Sequence, residues 1–266
     1  MVGGESRPRV AVLVFPGTNS EEETLRAVRA VGLEGELVHW SRPEQLARFD
    51  AYILPGGFAH EDRIRAGAVA AHDALMDPVI DAARAGKYVL GICNGAQILA
   101  EAGLVPGTGR LRRPTAAFAP NASRRFQSVH VHVRLNLDPG QVPILAGIEA
   151  GAVIPAWASH GDGRLAAPAD ELARIERDHL AFTYCDRDGN PVAAPNGSAL
   201  NCAGLVNTEG NVLAIMPHPE RDAWTFQHLD ATRDAVRGNT EETLAPSGGI
   251  VFFEAFARAV LAEAIA

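Results

Sequence analysis

The chain has 266 residues, 47% apolar and 21% charged, which suits a globular core and excludes disorder as its default state. A formal charge of −8 repels phosphate backbones and argues against nucleic acid as a partner. The start, Met1 to Pro8, lacks the basic-then-apolar pattern of a signal peptide, and no apolar run approaches the ~18 residues that span a bilayer, so a cytoplasmic protein with no membrane partner is expected.

In chain order, Val10 to Phe15 is a continuous apolar run of the kind buried on both faces of a sheet. Ser20 and Glu23 have the spacing of a capping box, and the helix they open carries Leu25, Val28 and Val31 before Gly32 stops it. Leu37 to Trp40 and Tyr52 to Leu54 read as strands, Ala66 to Ala85 as an alanine-rich helix broken near Pro78, and Tyr88 to Ile92 as the next strand. This alternation predicts an α/β fold with a largely parallel central sheet and helices on both faces. From Gln127 to Leu137 apolar residues alternate with His130, His132, Arg134 and Asn136, as in a half-exposed strand. Leu205-Val206 and Val212 to Met216 flank a turn, and Ile250, Phe253, Ala257, Val260 and Leu261 share one face of a C-terminal helix. No linker divides the chain, so a single domain over 1–266 is expected, with 222–249 a polar, irregular excursion before that helix.

Cys93, Cys185 and Cys202 are an odd number in a chain too large to need disulfides, so any sulfur chemistry comes from one thiol. Lys87, the only lysine, lacks the Ser/Thr and upstream glycine of a phosphate-binding loop, which speaks against ATP binding through that motif. The strand at Tyr88 runs into Gly91-Ile92-Cys93-Asn94-Gly95 and then a helix, the thiol form of a nucleophile elbow. Its glycines make room for a strained turn, the helix start favours a thiolate, and the Asn94 N–H is left to face a developing oxyanion. Taken alone, Cys93 reads equally well as a small buried hydrophobe. Met216-Pro217-His218-Pro219-Glu220-Arg221 offers the base. Pro219 pushes His218 into extended geometry, where His218 and Glu220 project to one side and the carboxylate can orient the ring. Pro55-Gly56-Gly57 ends a strand, where glycine N–H groups approach a ligand or the chain merely turns.

His130 and His132 share a strand face, but no third ligand is evident and no metal site is expected. Between Ala102 and Leu137 there is no Asp or Glu, yet six arginines fall there: Arg110, Arg112, Arg113, Arg124, Arg125 and Arg134. That basic block is either a solvated face or a dock for an acidic partner surface, with Arg110, Arg112 and Arg113 the first candidates.

Pro55-Gly56-Gly57, Gly91 to Gln97 and His218-Pro219-Glu220 together resemble the class I glutamine amidotransferases. The wording of Phe15-Pro16-Gly17-x-Asn19, Asn121-x-Ser123-x-Arg125-Phe126, Asn196-Gly197-Ser198 and Met216 to Arg221 is similar to one branch, the glutaminase subunits of phosphoribosylformylglycinamidine synthase in de novo purine synthesis. These matches run from Val10 to Arg221, and the chain departs from the common pattern at Ser20, at Ala59-His60-Glu61-Asp62 and at Asp162. The resemblance implies a flavodoxin-like three-layer sandwich and a Cys93-His218-Glu220 triad that hydrolyses L-glutamine. It also implies substrate or oxyanion contacts from Gly56, Gly57, Asn94, Gln97 and His160, and no cofactor in this chain. Ammonia would pass to a synthetase subunit, with a further small subunit as an optional third partner, that uses ATP and Mg to aminate formylglycinamide ribonucleotide. The rival readings are an amidotransferase of another pathway, a cysteine hydrolase or chaperone-like protein on the same elbow, and a non-catalytic interaction subunit.

Overall fold

The apolar run after Arg9 forms β1 (Arg9–Val14), whose Val10, Ala11, Val12 and Leu13 are fully buried, as a strand covered on both faces requires. A computed structural model of the chain describes residues 7–228 and 245–265. In it, β1 pairs in parallel with β2 (Glu34–His39) and β3 (Ala51–Leu54). The parallel set continues through β4 (Tyr88–Ile92) to β11 (Val212–Ile215). Beyond β11 the neighbours are antiparallel: β10 (Cys202–Val206), β9 (Leu180–Cys185), β6 (Gln127–Leu135) and β7 (Val153–His160), giving the order β2-β1-β3-β4-β11-β10-β9-β6-β7. Only β10 and β6 run against the other strands, so the sheet is largely parallel, as expected. A separate ribbon pairs β5 (Ala117–Ala119) with β8 (Arg164–Ala166).

Helix α1 (Glu21–Ala30) links β1 to β2 and α2 (Met76–Arg84) links β3 to β4, steps in opposite directions along the sheet. Right-handed crossovers therefore put the two helices on opposite faces, and the layers number three. Helix α3 (Asn94–Glu101) follows β4, and the C-terminal helix Ile250–Ile265 packs beside α1.

Several local expectations need correction. Ser20 does sit at the N-terminus of α1, but its side chain caps nothing, because its Oγ accepts a hydrogen bond from Arg221 at 2.8 Å. Pro78 breaks no helix. It is the third residue of α2, where the backbone has no intrahelical N–H bond to lose. The residues before α2 form turns and a short 3-10 helix, Ala70–His72. Gly67, at φ +79°, lies so close to α3 that a Cβ would stand 2.6 Å from the Gln97 carbonyl carbon. On the C-terminal helix Ile250, Phe253, Ala257 and Val260 are buried, whereas Leu261 is exposed. Of the expected excursion, 222–228 and 245–249 form short turns joined by Thr225 N–H to the Ala245 carbonyl at 3.0 Å, and 229–244 lie outside the described residues. No helix among the described residues is long and apolar enough to cross a membrane.

Candidate active site

The carboxyl ends of β1, β3, β4 and β11 meet at one edge of the sheet, the place where open α/β sheets bind ligands. Cys93 stands there between β4 and α3 at φ 51°, ψ −105°, a conformation that L residues avoid unless the surroundings enforce it. The enforcement is visible. Its N–H donates to the Ile215 carbonyl at 2.8 Å, and the flanking glycines let strand and helix touch. A Cβ on Gly91 would stand 2.6 Å from the Gly95 oxygen, and one on Gly95 would run into the Leu54 carbonyl. The thiol, 5% exposed, opens into a cavity of about 250 Å³ and points a weak hydrogen bond at the Ser159 carbonyl, 3.7 Å away.

His218 lines the same cavity, and its Nδ1 lies 2.5 Å from Glu220 Oε1, both side chains being buried. The local structure differs from the extended geometry expected. His218 is extended, but Pro219–Asp222 is a 3-10 turn, and this turn swings Glu220 under the ring. The His218 backbone is held by Trp157 of β7, through His218 N–H to Trp157 O at 2.8 Å and Trp157 N–H to His218 O at 3.2 Å. Burial alone would lower the imidazolium pKa. The charges of Glu220 and Cys93 outweigh it, and the pKa is raised. Its Nε2, without a hydrogen-bond partner, is left for the cavity.

Gly56 packs against the His218 ring, where a Cβ would come 2.5 Å from Cε1, and Gly57 lines the cavity. The Asn94 side chain is occupied elsewhere. Its Oδ1 accepts from Ala59 N–H at 2.9 Å and its Nδ2 donates to Asp62 and Gln97, so only its backbone N–H, the first of α3, is left for an oxyanion. The Gln97 amide lines the cavity while donating to the Asp162 carbonyl, which braces the 161–163 loop. His160 lines it too, and burial, reinforced by the nearby His218 charge, drops its pKa to about 4 and keeps its ring neutral. The structure thus brings Cys93, His218, Glu220, Gly56, Gly57, Asn94, Gln97 and His160 to one place. Cys185 and Cys202 do not line the cavity, and burial pushes their thiols up to about 11 and 12. His130 turns to Asp222, with Nε2 2.5 Å from Oδ2, and its ring meets His132 edge-on at 5.2 Å. Among the described residues no cluster of three metal-ligating side chains occurs.

A family profile described as a CobB/CobQ-like glutamine amidotransferase domain matches residues 7–255. The chain belongs to that amidotransferase family. It is 42% identical over 217 residues to a phosphoribosylformylglycinamidine synthase subunit PurQ of Symbiobacterium thermophilum, covering 80% of this chain and 87% of the relative. A PurQ of Thermus thermophilus is 37% identical over 253 residues, 95% of this chain and 99% of its own. The solved structure of PurLQS from Thermotoga maritima superposes with a TM-score of 0.73 at 29% identity, over 97% of this chain and 99% of that one.

Among the cavity residues of this amidotransferase chain that escaped the sequence reading as site candidates are Asn19, Asp62, Asp162 and Arg221. Burial, then the charge of Asp162, pushes the Asp62 pKa up to about 6 against the hydrogen bond from Asn94, and burial raises that of Asp162. Asp162 falls where the wording departs from the family pattern, and Asp62 ends a stretch whose first three residues depart from it, signals that marked the positions without giving them a role. Arg221 lies in the same 3-10 turn as Glu220 and grips Ser20 and Glu23 at the start of α1.

Proposed function

We propose that this chain is the glutaminase subunit of phosphoribosylformylglycinamidine synthase, hydrolysing L-glutamine at Cys93 and handing ammonia to the synthetase subunit in purine biosynthesis. The observation that carries the reading is one cavity lined by the elbow thiol and by a histidine whose far nitrogen is held 2.5 Å from a buried carboxylate. A thiol with a base, and a base with an orienting group, is what nucleophilic amide cleavage requires.

The Cys93 thiolate attacks the side-chain carbonyl carbon of glutamine. The oxyanion is received by the N–H groups of Gly57 and Asn94, each worth about 3 kcal/mol if aimed correctly. The proton on His218 Nε2 goes to the leaving nitrogen, the C–N bond breaks, and ammonia departs from a glutamyl thioester. Water then gives a proton to Nε2 and attacks the thioester carbon, the C–S bond breaks, and glutamate leaves. Glu220 holds Nδ1 throughout, so that Nε2 is the nitrogen in play. In this reading ATP and Mg²⁺ belong to the synthetase subunit. Cys93→Ala tests it: in the reconstituted complex glutamine-dependent amination is lost and the ammonia-dependent reaction is kept. Glutamine-dependent turnover by that variant would overturn the assignment.

A further inference from the structure

The expected basic block comes apart in the fold. Arg112 N–H donates to the Ala102 carbonyl at the far end of α3 from Cys93, and its side chain pairs with Asp77, whereas Arg124 and Arg125 line a groove that shares Phe126, Gly161 and Asp162 with the glutaminase cavity. A tighter cluster of titratable groups surrounds Asp222, the last residue of the 3-10 turn that carries Glu220.

The Asp222 carboxylate is fully buried and met from three sides. His130 of β6 places Nε2 2.5 Å from Oδ2. His228 Nε2 lies 2.7 Å from Oδ1 and 2.5 Å from the Ser247 hydroxyl, which itself donates to Oδ1 at 3.0 Å. A carboxylate oxygen accepts, so the His130 proton sits on Nε2 and is aimed at Asp222. The Asp222 carbonyl in turn accepts from Gly249 N–H at 2.9 Å, and a Cβ on Gly249 would stand 2.3 Å from the Pro219 oxygen. The turn is thereby pressed against the residues that lead into the C-terminal helix.

Glu220 depends on that turn. Its Oε1 meets His218 Nδ1, and its Oε2 is buried without a hydrogen-bond partner. Among the described residues no group other than the imidazole fixes this carboxylate, so the backbone sets its aim. The backbone is pinned at one end by the clasp between His218 and Trp157, and at the other by Asp222. His130 serves both ends, because its ring also meets Trp157 edge-on, with centroids 5.4 Å apart and planes at 78°. Burying a carboxylate costs several kcal/mol, and apolar side chains of similar volume often stabilise as well as a buried ion pair. Stability alone therefore gives no reason for a carboxylate at 222, whereas a fixed hydrogen-bonded point at the end of the turn does.

We propose that Asp222, gripped by His130, is a positioning residue for glutamine hydrolysis, fixing the turn that aims Glu220 at His218 so that Nε2 stays on the reacting groups. The inference rests on the glutaminase reading given above, and it brings in β6, a strand whose own residues do not line the cavity.

The test is steady-state glutaminase kinetics in the reconstituted complex. A glutamine amide at position 130 reaches to where Nε2 stood, while an asparagine amide stops short, so the two polar variants differ in reach and little else. His130→Asn is expected to lower kcat about tenfold with KM for glutamine within about twofold, and His130→Gln to stay within about threefold of the parent. His132→Asn, on the same strand but without a hydrogen bond to Asp222, stays within about twofold. In a Glu220→Gln background the orienting contribution is already spent, and His130→Asn should cost less than about threefold more. Equal turnover of the parent and His130→Asn overturns the positioning role and leaves the glutaminase reading intact. So does a rise in KM at unchanged kcat, an equal loss in His130→Asn and His130→Gln, or a tenfold loss that persists in the Glu220→Gln background. A parent complex that does not hydrolyse glutamine overturns the glutaminase reading and this inference with it.

Discussion

The Arg221 guanidinium donates to the Ser20 hydroxyl at 2.8 Å across 201 positions of sequence, and with Glu23 at 3.2 Å it ties the 3-10 turn that carries Glu220 to the start of α1. A hydrogen bond from a charged donor is worth about 1.5–3 kcal/mol. Ser20→Ala is therefore expected to lower the unfolding free energy by about 1–2 kcal/mol, the Glu23 contact surviving, and to reduce kcat because Glu220 sits on the loosened turn. Urea unfolding indistinguishable from the parent would show that the contact contributes nothing.

His218→Ala should abolish glutaminase activity almost as fully as loss of Cys93, whereas Glu220→Gln keeps a measurable residue, since its amide oxygen can still accept from Nδ1. Stability adds a second signature. Removing the imidazole strands a buried carboxylate, so His218→Ala costs about 3–5 kcal/mol, and His218→Ala/Glu220→Gln recovers part of it. A glutamine variant more damaging to turnover than the alanine variant would reverse the assigned roles.

At neutral pH the thiols of Cys185 and Cys202 are held protonated by burial, with pKa values of about 11 and 12. Alkylation of the folded chain should stop at one adduct, on Cys93, with loss of glutaminase activity in step. Peptide mapping that finds early modification at Cys202 would contradict this.

Asp62 titrates at about 6 in the folded chain, above its ordinary carboxylate range, because burial and Asp162 disfavour its charge. The folded state therefore holds a proton that the unfolded chain has released, and stability falls as pH rises from about 4 to about 6, then levels. Asp62→Asn should be more stable than the parent by about 1–2 kcal/mol at neutral pH, allowing for solvent screening, with the gain vanishing near pH 4. Melting curves whose difference grows on acidification would refute it.

The sheet and the elbow were legible because their signals are local. A run such as Val10 to Leu13, short and rich in valine, reads as a doubly covered strand, and Gly91-x-Cys93-x-Gly95 spells its own turn. His218 and Glu220 were paired for a reason the structure replaces, since a 3-10 turn after Pro219 brings them together where extended chain was expected. Ser20 looked like a cap because Arg221, its actual partner, lies near the other end of the chain. Asp62 and Asp162 gave no readable role, because their burial depends on loops from distant segments closing over the same cavity. The arginines around 110 and 124 are neighbours in sequence and are parted by a helix in space.

The clasp between Trp157 and His218 joins β7, at one margin of the sheet, to the chain leaving β11. The antiparallel half thereby closes on itself, and the base is seated on the seam. A chain emerging from the ribosome amino end first presents its nucleophile long before β7 and β11 exist to seat its base. Under the proposed mechanism a nascent or truncated chain carries the thiol without its base, and glutamine turnover waits until the whole sheet has closed.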